Sequence, residues 1–247
     1  GDATRVTLPS DWSAAAVDQA AVRWYRLSLA VAPRALGDDA ATLYGLYVER
    51  ACSVLQVRLN GQLIHDGGRF KEPVSRNCHR PQLVAIPAAL LRAEGNELDL
   101  RVHGYPLARV SSRQRMGGLS PVEFGPYELM AGHHARRTVF AIRLPEVMSG
   151  ALVLMGSFMF VMGWFNRAQS YLAYFGALMV GWSLLLARLW ASDLPVSNGT
   201  AELVLASLMA FITLATVQFL MRYAGHRLRW LDLALPAQCL LMPATLL

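Results

Sequence analysis

The chain has 247 residues, 23 Lys and Arg against 17 Asp and Glu, and a hydrophobic share of 54%. Its net charge of +6 does not point to nucleic acid, because Lys71 is the single lysine and no Lys/Arg cluster is interleaved with aromatics. The composition averages two unlike parts: after Glu146 the charged residues are only Arg167, Arg188, Asp193, Glu202, Arg222, Arg227, Arg229 and Asp232, so the length reads as two units.

The chain opens on Gly1 and not Met, with no basic segment and apolar run ahead of the first strand, the pattern left by signal-peptide removal or trimming. Residues 5–8 are predicted as a strand ended by Pro9. Residues 21–29 alternate, with Val22, Trp24 and Arg26 on one face and Arg23, Tyr25, Leu27 and Leu29 on the other; Trp24 and Tyr25 are both expected in the core. Residues 42–49 are β-branched and aromatic, and residues 53–59 alternate with Leu55, Val57 and Leu59 on one side. Asn60-Gly61 then predicts a two-residue hairpin turn, since both positions need positive φ, and the register would pair Val57 with Ile64. Residues 82–86 and 97–103 supply two further strands. Short strands with polar turns every ten or so residues predict an all-β sandwich over residues 1–140.

These residues also carry a resemblance. Trp24-Tyr25-Arg26 opening a strand, Val57-Arg58-Leu59-Asn60-Gly61-Gln62, Gly67-Gly68, Leu83-Val84-Ala85-Ile86-Pro87 ahead of Leu90-Leu91, and Gly95-Asn96-Glu97-Leu98-Asp99-Leu100-Arg101-Val102 follow one another in order. Over residues 20–105 this resembles the jelly-roll, galactose-binding-like domain at the front of glycoside hydrolase family 2 enzymes. The resemblance implies a β-sandwich with a surface for a carbohydrate or another small molecule; the hydrolase's catalytic barrel has no counterpart here.

Asp66-Gly67-Gly68-Arg69-Phe70 reads as a ligand-binding lip at the sandwich edge, where Phe70 can stack on a ring and Asp66 and Arg69 can hydrogen-bond it; the alternative is a solvated turn. Cys52 and Cys78 fall in the β part and Cys239 in an apolar segment. In an oxidising compartment a Cys52–Cys78 disulfide would contribute roughly 3 kcal/mol by loop entropy, against the alternative of two separate buried thiols. His65, His79, His103, His133 and His134 show no ligand spacing with the cysteines, so no metal is expected. No catalytic constellation is legible either: there is no Gly-x-Ser-x-Gly elbow, no P-loop and no close carboxylate pair in an apolar setting, and no cofactor is expected.

Gly and Pro residues between Met116 and Pro126 mark closing turns, and a strand or helix carrying Arg136, Arg137 and Arg143 connects to Leu144-Pro145-Glu146. Residues 147–165 then run uncharged for about 28 Å at about 1.5 Å per residue, the thickness of a bilayer's hydrocarbon core. Three more transmembrane spans are predicted at 171–190, 201–223 and 231–247; the last stops inside an apolar run, as in a truncated bundle. Arginine marks the loops after the first and third spans and is missing from 191–200, which predicts those two loops in the cytoplasm and the β domain outside. Ala173, Ala177 and Gly181, and Ala206 and Ala210, recur at close-packing spacing, and no ionisable group falls at mid-depth, which argues against transport.

Gly118-Leu119-Ser120-Pro121, Gly125-Pro126, the Arg-rich connector into Leu144-Pro145 and the closely spaced helices make the whole chain resemble the bacterial receptors with seven transmembrane helices and diverse intracellular signalling modules. That resemblance implies a multi-pass receptor of the bacterial inner membrane with a periplasmic sensor domain. It also implies three further helices and a cytoplasmic output, a histidine kinase or alternatively a diguanylate cyclase; kinase output implies a homodimer. None of the kinase or cyclase motifs lies in this sequence. Two alternatives from other classes remain: a membrane enzyme acting on envelope polysaccharide, for which Asp193 and Glu202 are the only candidate acids on the outer loops, and a non-enzymatic accessory protein of envelope polysaccharide metabolism.

Overall fold

The computed structural model describes residues 4–12, 21–30, 42–110, 115–226 and 228–245. It divides into two units, Gly1–Ile142 with Ser192–Ser197, and Arg143–Ala191 with Asn198–Leu247.

In the first unit the described strands are β1 (Ser10–Asp11), β2 (Ala21–Leu29), β3 (Leu43–Val48), β4 (Ala51–Cys52), β5 (Val54–Leu59), β6 (Gln62–Asp66), β7 (Gln82–Pro87), β8 (Asn96–Gly104), β9 (Gly118–Leu119) and β10 (Val122–Pro126). They pair antiparallel in three sheets, ordered β1-β9-β4, β10-β3-β7 and β2-β8-β5-β6. Leu46 and Val48 of β3, Val84 and Ile86 of β7, Leu55, Val57 and Leu59 of β5, and Leu98, Leu100 and Val102 of β8 share one core. Burying such side chains contributes about 1.5–3 kcal/mol each relative to exposure.

Three local expectations meet a different outcome. Residues 5–8 have no regular secondary structure, and pairing begins only at Ser10, past Pro9, whose ring nitrogen has no hydrogen to donate to a ladder. Asn60 (φ 50°) and Gly61 (φ 85°) do form the left-handed turn between β5 and β6. A register shift between Val57 and Arg58, however, pairs Val57 with His65 in place of Ile64. The extra residue lets Ile64 pack on the core while His65 reaches Gln82 (3.1 Å). Trp24 and Tyr25 separate: Tyr25 is buried and accepts a hydrogen bond from Trp12 Nε1 (2.9 Å), whereas Trp24 is 56% exposed. Strand alternation forces that split, because only one face of β2 meets the core.

The connector is a helix, α1 (Tyr127–Thr138), which starts directly after β10. It packs on β3, β10 and β7 within the first unit, burying Met130 against Gly45, where an added Cβ would lie 2.7 Å from Met130 Cβ. His133 Nδ1 pairs with Glu123 (3.0 Å), and Arg137 with Glu49 (2.9 Å). A π-helical turn, Val139–Arg143, continues α1 into α2 (Leu144–Phe165), so Tyr127–Phe165 is one helix of 39 residues.

The second unit holds α2, α3 (Tyr171–Trp190), α4 (Asn198–Tyr223) and α5 (Arg229–Ala244), each packed on the next. Gly156, Gly163 and Gly176 bring α2 and α3 into backbone contact: a Cβ on Gly176 would collide with Gly156 O and Phe160 N. Ser183 Oγ donates to Ser149 O (3.0 Å) across the same seam. Gly181 abuts Ile212 of α4. Arg222 lies over the Tyr174 ring (4.6 Å), and Gln218 donates to Asp232 of α5 (2.8 Å). Three described helices, Tyr127–Phe165, α3 and α4, are long and apolar enough to cross a membrane. Only 17%, 22% and 22% of their apolar windows is buried within the protein.

Candidate functional site

Alternation along β2, β8, β5 and β6 turns one face of the four-stranded sheet to the core and the other away from it. Leu98, Leu100 and Val102 point inward, which leaves Asp99, Arg101 and His103 on the outer face of β8. The register then aligns three outer rows: Val22–His103–Val54, Trp24–Arg101–Gln56–Asp66, and Arg26–Asp99–Arg58–Leu63. Arg26 Nε donates to Asp99 Oδ1 (2.8 Å). Gln56 and His103 are each only 8% exposed.

Beyond β6, residues 67–80 form a lip over one end of this face, and hydrogen bonds hold its shape. Gly67 N–H donates to Leu55 O (2.9 Å), Arg69 N–H to Ser75 Oγ (3.0 Å), Asn77 Nδ2 to Gly67 O (2.6 Å), and Asn77 N–H to Ser53 O (3.0 Å). Gly68 has φ +137°, and a Cβ there would lie 2.6 Å from Ser75 Oγ, so only glycine suits the position. The Cys52–Cys78 disulfide ties the far end of the lip to β4. Beneath it Val54, Val74 and Tyr105 form a small apolar cluster with Phe70 and Val110. Tyr105 Oη donates to Glu72 (2.5 Å); burial first, and then Glu72, push that phenol far above its usual range.

The three lip residues singled out in the sequence go different ways. Phe70 rests against the outer face, with the Arg101 guanidinium 4.6 Å from its ring centre and His103 meeting it edge-on at 6.2 Å. Asp66 stands in register with Gln56 and accepts from Gly68 N–H (3.4 Å). Arg69 turns to the segment Ser192–Ser197, donating to Asp193 Oδ1 (3.4 Å), which also accepts from Ser75 Oγ (2.7 Å). Arg76 N–H donates to Ser192 O (2.8 Å) at the same place.

Sequence reading passed over Gln56, Arg58 and Arg101 as site residues, took His103 only as a non-ligand, and put Trp24 in the core. Polar residues alternating with core residues along β5 and β8 were the available signal, but only the cross-strand register shows that they meet. Trp24 lies 5.7 Å from the Arg101 guanidinium, and a cavity of about 900 Å³, lined by residues 4–6, Leu8, Ser10 and 22–27, borders the same strand. Burial lowers the His103 pKa, Glu72 pulling it up and Arg101 adding to the depression, so the imidazole is neutral at pH 7. The face therefore presents the Trp24 indole, the Gln56 amide, the neutral His103 imidazole and the guanidiniums of Arg26, Arg58 and Arg101, with the carboxylates of Asp66 and Asp99 in the same rows.

No protein-family model matches the chain. No curated protein matches it either.

Proposed function

We propose that the chain is the sensing part of a multi-pass receptor of the bacterial inner membrane, with a jelly-roll β unit in the periplasm and the helical unit in the bilayer. The observation that carries this reading is the helix Tyr127–Phe165. Its first turns are seated on the β10-β3-β7 sheet through Met130, and its later turns are apolar and long enough to span. Leu154 and Phe165 are 75% and 83% exposed, which in water would leave a large apolar surface uncovered; hydrocarbon is the solvent that suits it. Arg167 in the loop after α2 and Arg222 at the end of α4, set against the arginine-free segment after α3, support a periplasmic β unit.

In this reading a ligand settles on the outer face of the four-stranded sheet. The β unit adjusts, and the helix rooted in it carries the displacement toward the cytoplasm. The output is a histidine kinase working as a homodimer. Membranes holding the natural-length gene product, given γ-labelled ATP, are expected to acquire acid-labile phosphohistidine. Gly45→Leu, which must displace Met130 and with it α1, is expected to change the labelling at equal protein content. Synthesis of cyclic di-GMP from GTP without labelling would favour the cyclase alternative. Absence of both activities would overturn the receptor reading in favour of a membrane accessory protein.

A further inference from the structure

Four polar atoms of the outer sheet face are buried with no hydrogen-bond partner: Gln56 Oε1, Arg58 Nε, Arg101 Nε and His103 Nδ1. All four belong to neighbouring positions of the register that pairs Gln56 with Arg101, Arg58 with Asp99 and Val54 with His103. Leaving a buried polar group unsatisfied forfeits its hydration with nothing in return, and more so for a charged group, so four together on one face need a reason. The carboxylate nearest in register, Asp99, is already engaged by Arg26 at 2.8 Å. Among the described residues no carboxylate pairs with either Arg58 or Arg101.

The unmet valences define what would fill them. Two guanidiniums diagonal to one another ask for an oxyanion, which planar N–H pairs hold best. Gln56 Oε1 can only accept, so the same molecule must bring a donor, which a sugar hydroxyl supplies and a fully deprotonated anion does not. The exposed indole of Trp24, in the same row as Arg101 and Gln56, offers a flat apolar surface for a ring. Phe70, lying on Arg101 and against His103, occupies the neighbouring space.

Resting on the reading of the β unit as a ligand domain, we infer that this face binds an acidic saccharide, a pyranose bearing a carboxylate. Its carboxylate sits at Arg58 and Arg101, its hydroxyls meet Gln56 and His103, and its ring lies against Trp24. No bond is made or broken. Phe70 marks the side from which the ring enters.

The test uses the full 247-residue chain in detergent micelles, titrated with galacturonate, with galactose and with inorganic phosphate, and followed by tryptophan fluorescence and calorimetry. Galacturonate is expected to bind saturably and more tightly than galactose. Arg101→Gln and Arg58→Gln should each weaken it about tenfold or more, the loss of a charge-assisted bond, while galactose is unaffected. Trp24→Ala, at an exposed position outside the core, should weaken both sugars and separates a binding loss from a folding loss. Equal binding of galactose and galacturonate would overturn the acidic class and leave a neutral-sugar face. Binding of phosphate as tight as that of galacturonate would overturn the saccharide. No binding of any probe by a folded chain would overturn the site itself, whereas the receptor reading stands or falls on the kinase and cyclase assays.

Discussion

Adjacent residues with opposite fates, Trp24 and Tyr25, show how finely the β unit is specified. Tyr25 is held in the core by Trp12, while Trp24, one position away, faces outward beside Arg101. His65 and His103 show the same discrimination in electrostatics. Burial is the largest influence lowering each pKa; the bond to Gln82 and the charge of Asp66 oppose it at His65, and Glu72 opposes it at His103. The unfolded chain takes up protons near pH 6.5 that the folded chain refuses, so stability falls as pH drops below about 6.5 and the loss levels off beneath the folded values. Thermal unfolding between pH 7 and pH 5 should therefore show a falling midpoint, and the pair His65→Gln and His103→Gln should shrink that fall. An identical fall in the double variant would assign it to carboxylates instead.

Elements, and not single residues, decide where the lip stands. Its backbone bonds to Leu55 and Ser53 anchor both flanks, Gly68 supplies the one left-handed step, and the disulfide closes it at Cys78. With the cysteines 26 positions apart in sequence, chain entropy gives a stabilisation of roughly 3 kcal/mol, drawn from the unfolded state. Reduction is expected to lower the unfolding midpoint and to speed amide exchange within residues 67–78 before exchange rises in β8. Unchanged exchange in the lip after reduction would show that its hydrogen bonds hold it alone. In the helical unit the α2–α3 seam works by subtraction: Gly156 and Gly176 lack the side chains that would part the backbones, and Ser149 and Ser183 bond across the gap. Ala173, picked out by spacing, lies against Gly163 on this seam, whereas Gly181 belongs to the contact with α4.

For the whole molecule the testable quantity is topology. Alkaline phosphatase fused within residues 192–197 should be active. Fusions after Arg167 and after Gly225 should be inactive, and green fluorescent protein should glow at those two sites. The reverse pattern would place the β unit in the cytoplasm, where neither a disulfide nor a periplasmic ligand would be at home.

Much of this was written locally in the chain. The uncharged run 147–165, the alternation of β2, β5 and β8 and the Asn60-Gly61 turn are short-range patterns, and short-range patterns need no fold to be read. The Cys52–Cys78 pairing was legible because only two cysteines lie in the β part. What the tertiary structure alone decided depends on registers between distant segments. The shift at Val57 moved its partner from Ile64 to His65, and the separation of Arg69 from Phe70 required Asp193, more than a hundred positions away, to capture one of them. The outer face itself exists because β2, β8 and β5 are adjacent in space while far apart in sequence. A single strand announces which of its residues face away from the core; which residues stand beside them there is set by hydrogen-bond register, and that is a property of the folded sheet.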